Sequence, residues 1–373
     1  MTKLLILLVV SVVLAWFSEQ KTRELQEKGQ KYSVWKDLAY ILLVTVLVLF
    51  AGLRTSYNDT GNYIREFNKA PGLAEFLSDS KNLNPFKNPL FYMYESFLRS
   101  FANDSQVLIF TTSLFTQIAF VGFIKRYSKD FTISIFLYFT LGTYVFSLAA
   151  IKQVVAMAIL LTAVPYLEKK KWVRYYALVV IATLFHTYAL AFVVLPLFFR
   201  RPWKLFTFVF VGVVAVLMMN FETAITAFMD QANDLGKTLA EYEIFDNHSV
   251  NTFRLLVYAV TPLISLIFQK WVFYNSSQRE NMLVHMSIIS LAFMSMGTQS
   301  GANMFGRMAT YFELGTICCL PWMLKKIFNR PSFRLVAAAA IVCFLGYFTY
   351  ANGIANNFGR EYSSISLLSF LIS

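Results

Sequence analysis

Long apolar blocks separated by short polar stretches recur along the whole chain. A membrane-spanning helix needs about 20 mostly apolar residues, so this pattern predicts an all-α polytopic bundle of about twelve membrane segments. The predicted segments are 3–17, 38–53, 106–124, 131–149, 151–167, 173–185, 187–199, 206–220, 255–271, 282–297, 305–324 and 333–350. A cleavable signal peptide is the alternative interpretation of the first block, although no small-residue cleavage site follows it.

Clusters of Lys and Arg occupy alternate loops between these segments. Such clusters collect on the cytoplasmic side of membrane proteins. The clustered residues are Lys125, Arg126, Lys129, Lys169, Lys170, Lys171, Arg200, Arg201, Lys204, Lys270, Arg279, Lys325, Lys326 and Arg330. The parity of the crossings then predicts that both termini and two long loops, 54–105 and 221–254, are extracytoplasmic.

The stretch 172–200 has basic clusters at both ends, so an even number of crossings must fit between them. Each limb of about 13 residues reaches only about 20 Å as a helix, whereas the hydrocarbon core is about 30 Å thick. We therefore expect a short hairpin or re-entrant pair with its tip near His186 and Thr187. Backbone at that depth must be buried in protein or line a wet cavity, which predicts a cavity open to the outside.

The composition supports a membrane protein: 57% of residues are hydrophobic and only 14% are charged, against about 25% charged in soluble domains. This excludes a soluble enzyme and favours one integral membrane domain over 1–373. The net charge of +12 is explained by cytoplasmic loops rather than by nucleic acid. The three cysteines fall within predicted helices and suggest neither a disulfide framework nor a zinc site.

Three cations on the predicted outer side are candidate ligand-binding residues, because a charge at membrane depth costs at least about 2.5–3.5 kcal/mol. They are Arg54, Lys152 and Arg307. Three cations that converge from separate helices repel one another unless an anion lies between them, which is typical of a phosphate or diphosphate site. Gln153 adds an amide donor beside Lys152. The alternative for Lys152 is that it snorkels to the interface.

Other polar residues near these cations could position a substrate or move a proton. Asp59 and Tyr63 are four residues apart and would share a helix face, and so would Arg307 and Tyr311. Asp59 could instead only cap a helix. His186, at the hairpin tip, could act as a base or as a donor to an oxyanion, and a structural role is equally compatible with its position.

Two glutamates have simpler interpretations. Glu313 is expected to pair with an Arg or a hydroxyl across the bundle, and Glu95 with Arg99 as a surface ion pair. The first outer loop has no Asp-x-Asp pair, so we expect no metal and no other cofactor.

Several short motifs resemble those of the EpsG family of Wzy-like polysaccharide polymerases. The motifs are Gly52-Leu-Arg54, Asp59-Thr60-x-x-Tyr63, Lys152-Gln153-x-x-Ala156, Phe185-His186-x-x-Ala189 and Arg307-x-x-x-Tyr311-Phe312. The resemblance extends from about Gly52 to Phe312. The chain departs from the family at Lys152, where an Arg usually precedes the Gln, so the charge is kept and the bidentate fork is lost.

The resemblance implies a bacterial inner (plasma) membrane protein that joins oligosaccharide repeat units carried on undecaprenyl diphosphate, on the outer face of the membrane. The product would be an exopolysaccharide, a capsule or an O-antigen. The implied partners are lipid-linked oligosaccharides, membrane lipid, a flippase and a chain-length regulator, without nucleic acid. The expected roles are diphosphate binding by Arg54, Lys152 and Arg307, deprotonation of the acceptor by His186 or Asp59, and positioning by Gln153, Tyr63 and Tyr311.

Other classes of protein remain as alternatives. A metal-dependent, polyprenyl-phosphate-using glycosyltransferase would need a carboxylate pair in the first outer loop. A lipid-linked oligosaccharide flippase would need charges on both faces of the membrane, whereas the candidates here collect on one. An acyltransferase rests on His186 alone.

Overall fold

The computed structural model describes residues 1–85, 87–220, 250–299 and 303–372. Most of these residues are helical, as predicted, and one short two-stranded ladder joins distant parts of the chain. The elements up to residue 198 are α1 (Thr2–Glu27), α2 (Leu38–Gly52), β1 (Arg54–Ser56), α3 (Thr60–Lys69), α4 (Leu73–Ser78), α5 (Pro89–Arg99), α6 (Gln106–Tyr127), α7 (Phe131–Thr140), α8 (Thr143–Ala149), α9 (Ile151–Glu168), α10 (Trp172–Phe185) and 3₁₀ segments at Val34–Lys36, Ser80–Leu83 and Thr187–Phe198.

The elements after residue 198 complete the described chain. They are α11 (Leu205–Met219), α12 (Thr252–Ile267), α13 (Gln269–Val272), α14 (Gln278–Met296), α15 (Asn303–Thr310), α16 (Glu313–Ile327), α17 (Arg330–Thr349) with a π-helical end at Tyr350–Ala355, α18 (Phe358–Glu361), β2 (Ser363–Ser364) and α19 (Leu367–Ile372).

The number of membrane crossings is not confirmed at twelve. Among the described residues, four helices are long and apolar enough to cross a membrane, or up to five if one bent pair forms a single span. That pair is α7 and α8, which replace the predicted segment 131–149 and bend by 50°. The bend lies at Gly142, whose φ of +94° is readily adopted only by glycine.

The hairpin predicted over 172–200 has two short limbs in the structure. Its first limb, α10, has 14 residues, a length of about 21 Å. The second limb is a 3₁₀ helix of 12 residues, about 24 Å long. Both are shorter than a hydrocarbon core of about 30 Å, and His186 lies between them in an extended conformation.

The chain divides into two compact units, residues 1–193 with 330–373 and residues 194–329. In the first unit, α2 and α6 pack antiparallel. The Gln106 side-chain amide donates hydrogen bonds to the carbonyls of Gly52 (2.5 Å) and Arg54 (3.1 Å). At the opposite end of this pair, Lys125 Nζ donates to Ser18 Oγ at 2.6 Å, and Ser18 donates to Asp37 at 2.7 Å. The predicted outer and cytoplasmic loops therefore lie at opposite ends of the first unit.

The C-terminal segment of the first unit returns to the Arg54 end. Strand β1 pairs antiparallel with β2, and the Tyr362 hydroxyl donates to the Phe50 carbonyl at 2.7 Å. Gly359 lies against the amino group of Met1. Met1 and the described C-terminal segment thus lie at the end of the unit that carries Arg54, while the side of the membrane that this end faces stays a prediction.

The second unit is held by close helix contacts and buried hydrogen bonds. The Ser290 hydroxyl of α14 donates to the Ala309 carbonyl of α15 at 2.8 Å. Gly315 of α16 lies so close to Met286 and Leu283 that a side chain would not fit.

Candidate functional site

Lys152 is the second residue of α9, and groups from two other helices, α3 and α5, hold its side chain. Its ammonium group lies against three aromatic rings. Nζ is 5.6 Å from the ring centroid of Tyr63, 5.3 Å from that of Phe91 and 4.3 Å from that of Tyr92. Lys152 Nζ also donates to the Tyr92 hydroxyl at 2.6 Å and lies 3.1 Å from Glu66 Oε2. The Lys152 side chain is 16% exposed and that of Glu66 is 43% exposed. Cation–π contacts and a partly exposed carboxylate thus hold the ammonium group in place and leave it partly accessible to solvent.

An apolar cluster places these groups side by side. Its members come from α3, α5, α6 and the first residue of α9, with Phe185 of α10 packed against them. The buried members are Tyr63, Phe67, Phe91, Leu108, Ile109 and Ile151. Because Ile151 is anchored in this cluster, the next residue, Lys152, is directed toward the rings of α3 and α5.

Two partners of Lys152, Glu66 and Tyr92, also line an open cleft. The cleft has a volume of about 400 Å³ and is built entirely within 66–96, the first predicted outer loop. It is lined by Glu66, Lys69, Ala70, Pro71, Phe76, Lys81, Asn82, Lys87, Tyr92, Glu95 and Ser96. A mixture of cations, carboxylates, an amide and a ring is suited to a polar ligand with some negative charge.

Glu95 lines this cleft and differs from the surface residue that we predicted. It is only 2% exposed, and its Oε1 atom has no hydrogen-bond partner. Burial, and then the negative charge of Glu66, raise the Glu95 pKa to about 7. The predicted Glu95–Arg99 ion pair is wrong, because Arg99 turns to Asn103 Oδ1 at 2.5 Å and to the Phe67 ring.

Arg54 lies at the same end of the unit but in a closed environment. Its side chain is 0% exposed. Its Nε donates to Thr60 Oγ1 at 3.2 Å, and Nη1 donates to Ser113 Oγ at 3.0 Å and to the Ala51 carbonyl. Burial lowers the Arg54 pKa to about 10, so the side chain remains charged at neutral pH. These contacts tie the end of α2 to the start of α3 and to α6.

The two candidate bases and Gln153 occupy different surroundings. Asp59 stands at the N-cap position of α3 but its side chain makes no capping hydrogen bond. His186 stacks edge-on against Tyr188, with ring centroids 4.9 Å apart. The next residue, Thr187, donates through its backbone to Asn88 Oδ1 at 3.2 Å, which holds the hairpin tip against the start of α5. Gln153 is buried.

The single helix predicted to carry both Arg307 and Tyr311 is interrupted in the structure. Helix α15 ends at Thr310, and the Tyr311 amide bonds to the Met308 carbonyl in a turn. As a result Arg307 is exposed, whereas Tyr311 is 1% exposed. Both belong to the second unit, so a meeting of Arg307 with Arg54 and Lys152 stays a prediction.

Glu313, also in the second unit, pairs with a hydroxyl as expected. The Tyr258 side chain is hydrogen-bonded to Glu313, and Arg254 Nη2 lies 3.4 Å from the Tyr258 hydroxyl. All three residues belong to the unit 194–329, and Tyr258 and Glu313 are buried.

Sequence reasoning missed the groups that surround Lys152, namely Glu66, Phe91, Tyr92 and Glu95. Phe91 and Glu95 are four residues apart and share a face of α5, a spacing that was readable in the sequence. Their approach to Glu66 and Lys152 depends on the packing of three helices and has no sequence signal of its own.

These features define a multi-pass membrane protein with a charged, aromatic cleft at one end of its helices. The profile of the EpsG family matches residues 37–366, so the chain belongs to the EpsG family. Membership indicates a polysaccharide-polymerase-like membrane protein. No match to the chain was found among the curated proteins or the solved structures.

Proposed function

We propose that the protein joins undecaprenyl-diphosphate-linked oligosaccharide repeat units into a surface polysaccharide, by glycosyl transfer on the outer face of a bacterial plasma membrane. The observation that carries this proposal is the Lys152 cation, fixed by three rings and paired with a replaceable carboxylate beside an open cleft. Family membership supplies the class of polymer-forming reaction.

The chemistry asks little of the protein beyond binding and proton removal. A glycosyl diphosphate already carries a good leaving group, so the protein must hold the diphosphate with cations, orient the acceptor hydroxyl and accept its proton. Lys152 can exchange Glu66 for a diphosphate oxygen, because the Glu66 side chain is 43% exposed and free to move away. The rings of Tyr63 and Tyr92 keep the ammonium in place during that exchange.

The other sequence-predicted residues keep their expected roles in this proposal. Arg54 and Arg307 remain candidate diphosphate ligands, Gln153, Tyr63 and Tyr311 candidate positioning residues, and His186 and Asp59 candidate bases. Arg54 would first have to lose its cover, since it is fully buried. Burial raises the Tyr63 pKa to about 12, so its hydroxyl remains protonated and can donate to a sugar or phosphate oxygen.

Polymerisation by the purified protein in liposomes tests the proposal. Lipid-linked oligosaccharide is added, and the ladder of products is resolved on a gel. We expect chain extension by the wild type and a loss of at least about 100-fold with Lys152→Ala, because the cation that holds the leaving group is removed. Lys31→Ala is the matched control, since Lys31 is an exposed lysine in the loop 18–37, which the parity of the predicted crossings places on the cytoplasmic side. Normal extension by Lys152→Ala would remove the diphosphate role.

A second candidate is a metal-dependent glycosyltransferase that uses a polyprenyl phosphate donor. Its support is that two carboxylates of the first predicted outer loop, Glu66 and Glu95, line one cleft. No group of three or more His, Cys, Asp or Glu capable of holding a metal occurs among the described residues. Loss of activity with a chelator, and its recovery with a divalent cation, would favour this candidate.

A further inference from the structure

We propose that Glu95 accepts the proton of the acceptor sugar hydroxyl, and that the acceptor lies in the cleft formed by 66–96. This inference rests on the proposed function and deepens it. Neither sequence motifs nor family membership singles out Glu95. Its place in the cleft wall, its burial and its unpaired carboxylate oxygen do.

A buried carboxylate oxygen without a hydrogen bond is costly and needs a reason. Leaving a buried acceptor unsatisfied typically costs about 1–3 kcal/mol, and more for a charged group. Glu95 could have paired with Arg99 one turn along α5, but Arg99 bonds to Asn103 instead. The Oε1 atom therefore lies unpaired and covered within the wall of a polar cleft, and a bound acceptor hydroxyl that displaces this cover would supply the missing hydrogen bond.

The charged groups around Glu95 influence its pKa and therefore the pH range in which it can accept a proton. Glu66 of α3 opposes its ionisation, and Lys152 of α9 favours it. Lys69 at the end of α3, Lys81 of the 3₁₀ turn and Lys87 before α5 face the same cleft, where α4 contributes only Phe76. Burial is the largest influence, and the resulting pKa of about 7 is close to the value that favours a general base near neutral pH.

The proposed step balances atoms and charge. The acceptor oxygen forms a bond to the anomeric carbon of the growing chain as its proton passes to a Glu95 carboxylate oxygen. The bond from that carbon to the diphosphate oxygen breaks, and its electron pair leaves with undecaprenyl diphosphate. Glu95 then releases the proton to water in the open cleft.

Glu95 suits this task better than the two bases suggested by the sequence. Asp59 and His186 each already interact with neighbouring groups, and neither lines the cleft. Glu95 also lies on the same helix as Tyr92, the hydroxyl partner of Lys152. Helix α5 therefore carries both the proposed proton acceptor and a hydrogen-bond partner of the proposed diphosphate cation.

The test is the pH dependence of polymerisation by reconstituted full-length protein supplied with lipid-linked oligosaccharide. We expect the wild-type rate to rise with pH through an ionisation near 7, because only the deprotonated carboxylate can accept a proton. Glu95→Gln should lower the rate about 10²–10⁴-fold, the usual contribution of a general base, and abolish the rise. Glu75→Gln is the matched control, since Glu75 is an exposed glutamate of α4 outside the cleft wall, and its profile should match the wild type.

Glu66→Gln gives an independent readout that does not depend on the folding of the Glu95 variant. Removal of the negative charge that raises the Glu95 pKa should move the acid limb to lower pH. A wild-type rate and profile in Glu95→Gln, or an unmoved limb in Glu66→Gln, would overturn the inference. Failure of the wild type itself to extend any lipid-linked oligosaccharide would instead contradict the proposed function.

Discussion

Arg54 and Lys152 lie at the same end of the first unit, both in family motifs, yet their surroundings differ completely. Arg54 is 0% exposed and bonded to neutral groups, Thr60, Ser113 and the Ala51 carbonyl. Lys152 lies against aromatic rings and a partly exposed carboxylate beside a cleft. The first arrangement holds three elements together, and the second leaves a cation that can change partners.

The comparison shows that a cation in a motif does not define its own role. A buried guanidinium with fixed hydrogen bonds must lose them before it can bind a ligand, and each loss leaves a buried polar group unpaired. An ammonium held by ring faces keeps its position when its anion is exchanged. We therefore propose that Arg54 serves mainly the framework of the site and that Lys152 serves its chemistry.

The largest expected effect comes from reversing the charge of Lys152. Lys152→Glu should abolish polymerisation in the liposome assay, because it removes the proposed diphosphate cation and adds a third carboxylate beside Glu66 and Glu95. Lys152→Arg should retain activity, since it keeps the charge and supplies the residue typical of the family motif. Equal activity of the two variants would break the distinction between Lys152 and Arg54.

Arg54→Ala should lower the stability of the folded protein rather than act directly on the reaction. It removes the hydrogen bonds that Arg54 donates to Thr60 and Ser113 and opens a cavity, so we expect a loss of about 3 kcal/mol in the free energy of unfolding. The measurement is the thermal unfolding of purified protein, with the exposed Arg65→Ala of α3 as the control. A variant with normal stability and no activity would show that Arg54 binds substrate.

Gly52→Ala tests the packing of α2 against α6 in the same framework. An added methyl group would lie 2.7 Å from a Phe110 ring atom and 3.3 Å from Phe110 Cα, so α2 and α6 would be pushed apart. We expect a cost of about 1–3 kcal/mol in the free energy of unfolding.

Gly61→Ala is the matched control for that substitution, because no atom lies within 4 Å of its added methyl group. Its thermal stability should equal or exceed that of the wild type. If both glycine variants unfold at the wild-type temperature, the close contact of α2 with α6 at Gly52 is not important to the framework.

The smallest effect is expected from Tyr92→Phe, which keeps the ring against Lys152 and removes its hydroxyl. The loss of one hydrogen bond is worth about 1 kcal/mol, or about fivefold in kcat/KM for the lipid-linked substrate. Tyr94→Phe on the same helix removes a hydroxyl that bonds to Thr111 instead and should leave kcat/KM unchanged. An unchanged value in both variants would show that the Tyr92 hydroxyl does not support Lys152.

Hydropathy predicted the positions of most helices, including the short hairpin with His186 between its limbs. It did not predict the breaks at Gly142 and Tyr311, because average hydropathy carries no information on backbone conformation. The prediction of a shared face for Arg307 and Tyr311 assumed one continuous helix, and the structure interrupts that helix at Tyr311.

Lys152 was predicted as a candidate cation, since its charge stands out in an apolar region. Its rings and carboxylates were not, because they come from α3 and α5 and meet only on folding. The sequence marks Arg54 and Lys152 alike, and only the packing around them separates the buried residue from the accessible one.

Binding of a short polyprenyl diphosphate to the purified protein tests the central claim most directly. The equilibrium Kd is compared between the wild type, Lys152→Ala and the Lys31→Ala control. We predict that Lys152→Ala weakens binding at least tenfold and that the control does not change it. An unchanged Kd in a folded Lys152→Ala protein would contradict the assignment of this cation to the diphosphate.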